Sequence, residues 1–89
     1  MTSPRWTLHA LNDLLAREIS REEAERTVLA PDRTVPGSDG RTVLMRRYFD
    51  HILKQDMLLR VVVEYDGLTA VIITVYKTSK VSKYLGIQP

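Results

Sequence analysis

The chain has 89 residues, the length of one domain, and a single domain over residues 1–89 is expected, with frayed ends at 1–6 and 85–89. Apolar residues make up 44% and charged residues 27%, which excludes wholesale disorder, while zero cysteines exclude disulfide scaffolds, thiolate zinc sites and cysteine nucleophiles. The net charge of +2 is uneven: five arginines against seven acids give −2 over residues 1–40, and eight basic residues against four acids give +4 over 41–89. An anionic partner such as RNA would therefore sit on the second half. The longest uncharged apolar run, residues 68–76, is far short of the roughly 20 residues a membrane span needs. Residues 1–9 hold one arginine and no apolar run, so no secretory signal is expected and a cytoplasmic protein is.

Thr7 is placed to cap a helix over residues 8–18, whose apolar stripe is Leu8, Leu11, Leu15 and Ile19. Its polar side carries Arg5, His9, Asp13 and Arg17, each four residues from the last. Ser20 with Glu23 reads as a capping box and Ile19 with Ala24 as a hydrophobic staple, opening a second helix that Pro31 ends. The two make a helical hairpin.

Residues 36–40 (Pro-Gly-Ser-Asp-Gly) form a loop cluster. No Lys-Ser/Thr pair follows it, so it reads as a plain turn rather than a phosphate cradle. Thr34–Val35 and residues 41–49 flank it as strands, a connector is expected over 50–56, and residues 57–65 and 68–77 are β-branched strands joined at Asp66–Gly67. A three-residue loop, Tyr65-Asp66-Gly67, would put Leu59, Val61 and Val63 on one face with Val71, Ile73 and Val75. Arg60, Thr74 and Tyr76 would then face away from the helices. The tail from Thr78 spaces Lys77, Lys80 and Lys83 by three and adds Tyr84 and Leu85, as a short helical turn or a frayed end. The fold class is α+β: an N-terminal helical hairpin on a twisted antiparallel sheet of three to four strands.

Chemistry has few candidates. Two histidines without cysteines and without a nearby carboxylate pair make no metal site, and no cofactor is expected. His9 has Asp13 one turn on to orient its ring and Arg17 two turns on to hold a phosphate; the same stripe is equally the wet side of an amphipathic helix. Arg60 interrupts Leu58-Leu59-Arg60-Val61-Val62-Val63, where it must face water, an ion-pair partner such as Glu64, or a ligand. Arg46 and Arg47 point to opposite faces, so at most one of them joins Arg60. Tyr76 is a proton donor or a packing residue.

Four segments in order carry a resemblance: Thr7-Leu8-His9-Ala10 with Arg17 before Ile19-Ser20; Ala30-Pro31-Asp32-Arg33-Thr34-Val35-Pro36-Gly37; Leu58-Leu59-Arg60-Val61-Val62-Val63-Glu64; and Val75-Tyr76-Lys77-Thr78-Ser79-Lys80. Over roughly residues 7–84 the chain resembles a bacterial domain family, domain-of-unknown-function family 4258, which is similar to RelE- and BrnT-like toxin ribonucleases. The resemblance implies a RelE-like fold and a toxin-type ribonuclease that cleaves RNA by metal-independent attack of the 2′-hydroxyl. His9 would then transfer protons, Arg17 and Arg60 would hold the phosphate, and Tyr76 would transfer the second proton or stack on a base. Arg47, Lys77 and Lys80 would bind the RNA backbone. An antitoxin protein or a second copy is the expected protein partner. The family often carries an arginine where this chain has Asp13, which implies one phosphate ligand fewer. The alternative is a non-catalytic interaction domain that uses an exposed sheet edge.

Overall fold

The computed structural model describes residues 3–86. One five-stranded sheet, in the order β1-β5-β4-β3-β2, is built from β1 (Arg5–Trp6), β2 (Arg33–Pro36), β3 (Thr42–Asp50), β4 (Gln55–Asp66) and β5 (Thr69–Thr78). Helices α1 (Leu8–Ala16) and α2 (Arg21–Leu29) lie between β1 and β2 in sequence, and α3 (Val81–Leu85) follows β5. The fold is α+β, with three corrections to the expected arrangement. The sheet has five strands rather than three to four, because Arg5–Trp6, expected to fray, forms β1. The sheet is mixed, because β1 runs parallel to β5, and the helices are not all N-terminal.

Both helix starts follow their local chemistry. The Thr7 hydroxyl accepts the Ala10 amide at 3.2 Å, and the Ser20 hydroxyl accepts the Glu23 amide at 3.4 Å. The capping box is half formed, since the Glu23 carboxylate turns to Arg46 instead of returning to Ser20. Helix α1 ends two residues before the expected position. Glu18 adopts φ 53°, and the Ile19 amide reaches back to the Leu14 carbonyl at 2.9 Å, a Schellman-type closure that buries Leu14 and Ile19 together.

The expected buried stripe of α1 holds for Leu11, which packs on the core, and for the buried Ile19, but not for Leu8 and Leu15. Ala10, Asp13 and Leu14 face the sheet, whereas Leu8 and Leu15 are exposed. The cause is anchoring: the Thr7 amide and hydroxyl both donate to the Ile72 carbonyl of β5, which ties the start of α1 to the sheet and sets its rotation. A small residue, Ala10, then meets the strand and lets the backbones approach.

The β3–β4 connector is tighter than expected. Pairing continues to Asp50↔Gln55, leaving a four-residue turn over 51–54. The Asp50 carboxylate holds that turn by accepting the Ile52 and Leu53 amides at 2.9 and 3.0 Å. The β4–β5 hairpin corrects the expected register. Its loop is Gly67-Leu68, with Gly67 at φ 62° and Asp66 paired to Thr69, so Ala70 and Ile72 point to the helices with Val63, and Val71 and Ile73 do not. A β-bulge then skips Ile73, since Val63 pairs with Ile72 but Val62 with Thr74. The extra residue brings Val75 back to the helix side, opposite Val61, as expected.

Two cores result. On one face Leu44, Leu59, Val61, Val63, Ile72 and Val75 are buried beneath α1 and α2. On the other, Val43, Met45 and Leu58 are buried beneath Val81, Tyr84 and Leu85 of α3. Each fully buried Leu or Val contributes about 1.5–3 kcal/mol, so both faces hold the sheet against its cover. Among the described residues no helix is long and apolar enough to cross a membrane.

Candidate functional site

The bulge in β5 positions the site. Without the extra residue, Tyr76 would follow Ile72 onto the α1–α2 face; with it, Tyr76 pairs with Arg60 on the α3 face. The Arg60 guanidinium carbon lies 5.3 Å from the Tyr76 ring and 4.1 Å from the Tyr84 ring, both within cation–π range. Arg17, at the C-terminal end of α1, approaches the same Tyr76 ring at 6.0 Å. Arg60 faces away from α1 and α2, as expected.

Asp13 joins this row to His9. Its Oδ2 lies 3.6 Å from His9 Nε2 and its Oδ1 3.7 Å from Arg17 Nε. The imidazole is 70% exposed, whereas the Asp13 side chain is 8% exposed. The carboxylate accepts the Thr74 hydroxyl at 2.5 Å and the Val75 amide at 3.1 Å. Thr74 pairs with Val62, which packs on the α3 side, as expected, yet its hydroxyl still reaches Asp13 of α1. Burial would push Asp13 up, but the Thr74 hydroxyl, the Val75 amide, Arg17 and His9 outweigh it and hold it below its ordinary value. Asp13 therefore does two things: it occupies an outward amide of β5 where a neighbouring strand would bond, and it supplies a fixed negative charge beside His9.

The structure thus brings His9, Arg17, Tyr76 and Arg60 into one run of contacts along β5 and its neighbours. The three RNA-binding candidates are dispersed. Arg47 is exposed and shares the Arg60 face, its backbone amide held by Asp32 at 2.8 Å. Lys80 is exposed at the start of α3. Lys77 is not at the surface: its ammonium lies 2.6 Å from Asp50 and 3.2 Å from the Glu18 carbonyl, with 12% and 4% side-chain exposure for Lys77 and Asp50. Its charge closes the C-terminal end of α1 rather than meeting a phosphate. Arg46 takes the opposite face, paired with the Glu23 carboxylate.

A second buried group was not singled out from the sequence. Asp50 accepts Lys77, the Tyr48 hydroxyl at 3.0 Å and two amides of its own turn. Burial opposes its ionisation, yet Lys77, the Leu53 amide and Tyr48 bring it down to about 2. Burial and the neighbouring carboxylate push the Tyr48 phenol above its usual range. An aspartate opening a turn was the local signal; the pairing with Lys77 spans the sheet and left none. Tyr84 had a readable signal, since Val81, Tyr84 and Leu85 follow a helical apolar spacing. The other histidine, His51, is exposed, its ring 5.1 Å from Phe49.

Among the described residues no three His, Asp or Glu side chains gather as a metal site would require. The loop over residues 36–40 is a turn closed by the Gly37 amide on the Arg41 carbonyl at 2.8 Å. No curated protein and no solved structure matches the chain. One family model does, Domain of unknown function (DUF4258), over residues 6–77, a span that includes His9, Arg17, Arg60 and Tyr76. The chain belongs to the DUF4258 family.

Proposed function

We propose that this protein is a toxin-type ribonuclease of the cytoplasm, related in fold to RelE- and BrnT-like toxins, that binds RNA along the β5 face and cleaves it without a metal. What supports this most is the contact run from His9 through Asp13, Arg17 and Tyr76 to Arg60. The reaction needs a group that exchanges protons near neutrality and cations where phosphate charge develops. His9, exposed and backed by Asp13, takes the 2′-hydroxyl proton. The freed oxygen attacks the adjacent phosphorus, the bond to the 5′-oxygen breaks, and a 2′,3′-cyclic phosphate forms. Arg17 and Arg60 hold the phosphate, and Tyr76 between them returns a proton to the leaving oxygen or stacks on a base.

The test is cleavage of a single-stranded RNA in EDTA, beside the same RNA carrying one 2′-deoxy nucleotide at a cleaved linkage. Cleavage that spares the deoxy linkage is expected. Cut deoxy linkages, or intact RNA in a nuclease-free preparation, would overturn the proposal.

A second reading has its own observation. Strand β1 covers only Val71 and Ile72, so the outer edge of β5 beyond them has no strand partner among the described residues. An antitoxin segment or a second copy could add a strand there. Asp13 weighs against it, because it already occupies the Val75 amide.

A further inference from the structure

We propose that Tyr84 is a positioning residue for Arg60, so that α3 completes an anion site on the outer face of the sheet. For its natural ligand, a phosphodiester, the proposal rests on the RNA reading; its test does not.

Arg60 differs from Arg5, Arg33 and Arg46 on the sheet strands and from Arg41 just before β3, each of which has an acidic or carbonyl partner. It also differs from Arg47 on β3, whose side chain is exposed. Arg46 pairs with Glu23, Arg41 lies 4.0 Å from Glu64, Arg5 lies 3.6 Å from Asp66, and Arg33 donates to a carbonyl. Arg60 Nε, like that of Arg46, is buried with no acceptor among the described residues. Arg46, however, has the Glu23 carboxylate on its Nη2, whereas Arg60 has no acidic partner among the described residues. The guanidinium is instead held over tyrosine rings, most closely that of Tyr84 at 4.1 Å. A ring face orients a guanidinium without neutralising it, and it leaves the in-plane N–H groups free for a planar, multidentate contact with an anion. A carboxylate in the same place would cancel the charge.

The ring itself is anchored. Arg33 Nη1 donates to the Tyr84 carbonyl at 2.7 Å, and α3 closes on Gly86 at φ 69°. Lys83 Nζ lies 5.3 Å from the same ring, adding positive charge with no ion-pair partner among the described residues. A five-residue helix has little stability of its own. The packing of Val81, Tyr84 and Leu85 on Val43, Met45 and Leu58 and the Arg33 tie keep the ring in place.

The probe is inorganic phosphate, titrated into the protein while the Arg60 Nε–H resonance is followed by nuclear magnetic resonance. The resonance should shift with phosphate in the unmodified protein and in Tyr84→Phe, which keeps the ring. In Tyr84→Leu, which keeps apolar packing without a ring face, phosphate affinity should fall about fivefold. Arg33→Gln should weaken it in the same direction, and decides the matter if Tyr84→Leu fails to fold by circular dichroism. An Arg60 resonance indifferent to phosphate, equal affinity in Tyr84→Leu, or equal loss in Tyr84→Phe and Tyr84→Leu would overturn the proposal. A phosphate response without RNA binding would sustain the anion site and overturn the RNA reading instead.

Discussion

The two faces of the sheet treat charge in opposite ways. Beneath α1 and α2 each buried charge has an opposite charge or polar partners: Asp13 with Thr74, Val75, Arg17 and His9; Asp50 with Lys77 and Tyr48; Arg46 with Glu23, although its Nε has no acceptor among the described residues. Beneath α3 the Arg60 charge has aromatic rings around it and no counter-ion among the described residues. Matched charges fix how helices seat on strands, and a charge held but not matched is available to a ligand. The comparison therefore separates residues whose loss unfolds the protein from residues whose loss changes what it binds.

The largest effect should come from Lys77→Met. Removing one partner of a buried pair strands the other, at a cost of about 3–5 kcal/mol. Thermal unfolding should show a drop of well over about 10 °C, at roughly 4–8 °C per kcal/mol for a domain of this size. A shift of a few degrees would mean that the Lys77–Asp50 pair is not structural. Asp13→Ala comes next, since it leaves the Val75 amide and the Thr74 hydroxyl without their acceptor, each worth about 1–3 kcal/mol. Thr74→Val in the same background should then add little, because the two share one interaction.

Acid should reproduce part of this. Both aspartates ionise more readily folded than unfolded, where the value is about 3.9. Their contribution is complete above about pH 5 and is lost as pH falls through their folded values, about 2 for Asp50. Unfolding free energy should decline from about pH 5 towards pH 2, and a flat profile would remove both carboxylates from the account. The smallest stability change belongs to Arg60→Gln, below about 1 kcal/mol for removal of an aromatic neighbour. Its signature is instead in RNA binding, where the salt dependence should flatten by about 0.7 in slope for one phosphate no longer neutralised.

How much of this was legible before the structure depended on range. The caps at Thr7 and Ser20, the end of α2 before Pro31, and the identities of strands β2 to β5 are local and could be read directly, whereas β1 was not, since its two residues take their strand character from β5. The loop at residues 36–40 was equally plain. The bulge at Ile73 was not, because Val71, Ile72 and Ile73 are all apolar and alternation cannot say which one is skipped. Arg60 and Tyr76 were expected on one face, and that one residue decides that they pair directly. Nor did Leu8 and Leu15 betray their exposure, since their spacing is that of a buried stripe; the Thr7 bonds to Ile72 override it. His9, Arg17, Arg60 and Tyr76 could be named from type and resemblance, whereas Asp13 as the joint between α1 and β5 depends on partners 61 and 62 residues away. Lys77 shows the opposite limit: a basic residue near a strand end looked like a phosphate ligand and is instead buried on Asp50.

The central claim is that the row from His9 to Arg60 performs chemistry on RNA. The direct measurement is the single-turnover rate of RNA cleavage in EDTA for the unmodified protein and for His9→Ala, with product ends identified. His9 is exposed and its side chain makes no hydrogen bond among the described residues, so the variant should unfold at the same temperature. The account predicts 2′,3′-cyclic phosphate ends and a loss of about a hundredfold or more in His9→Ala, the scale of one acid–base group. An unchanged rate in His9→Ala would contradict it.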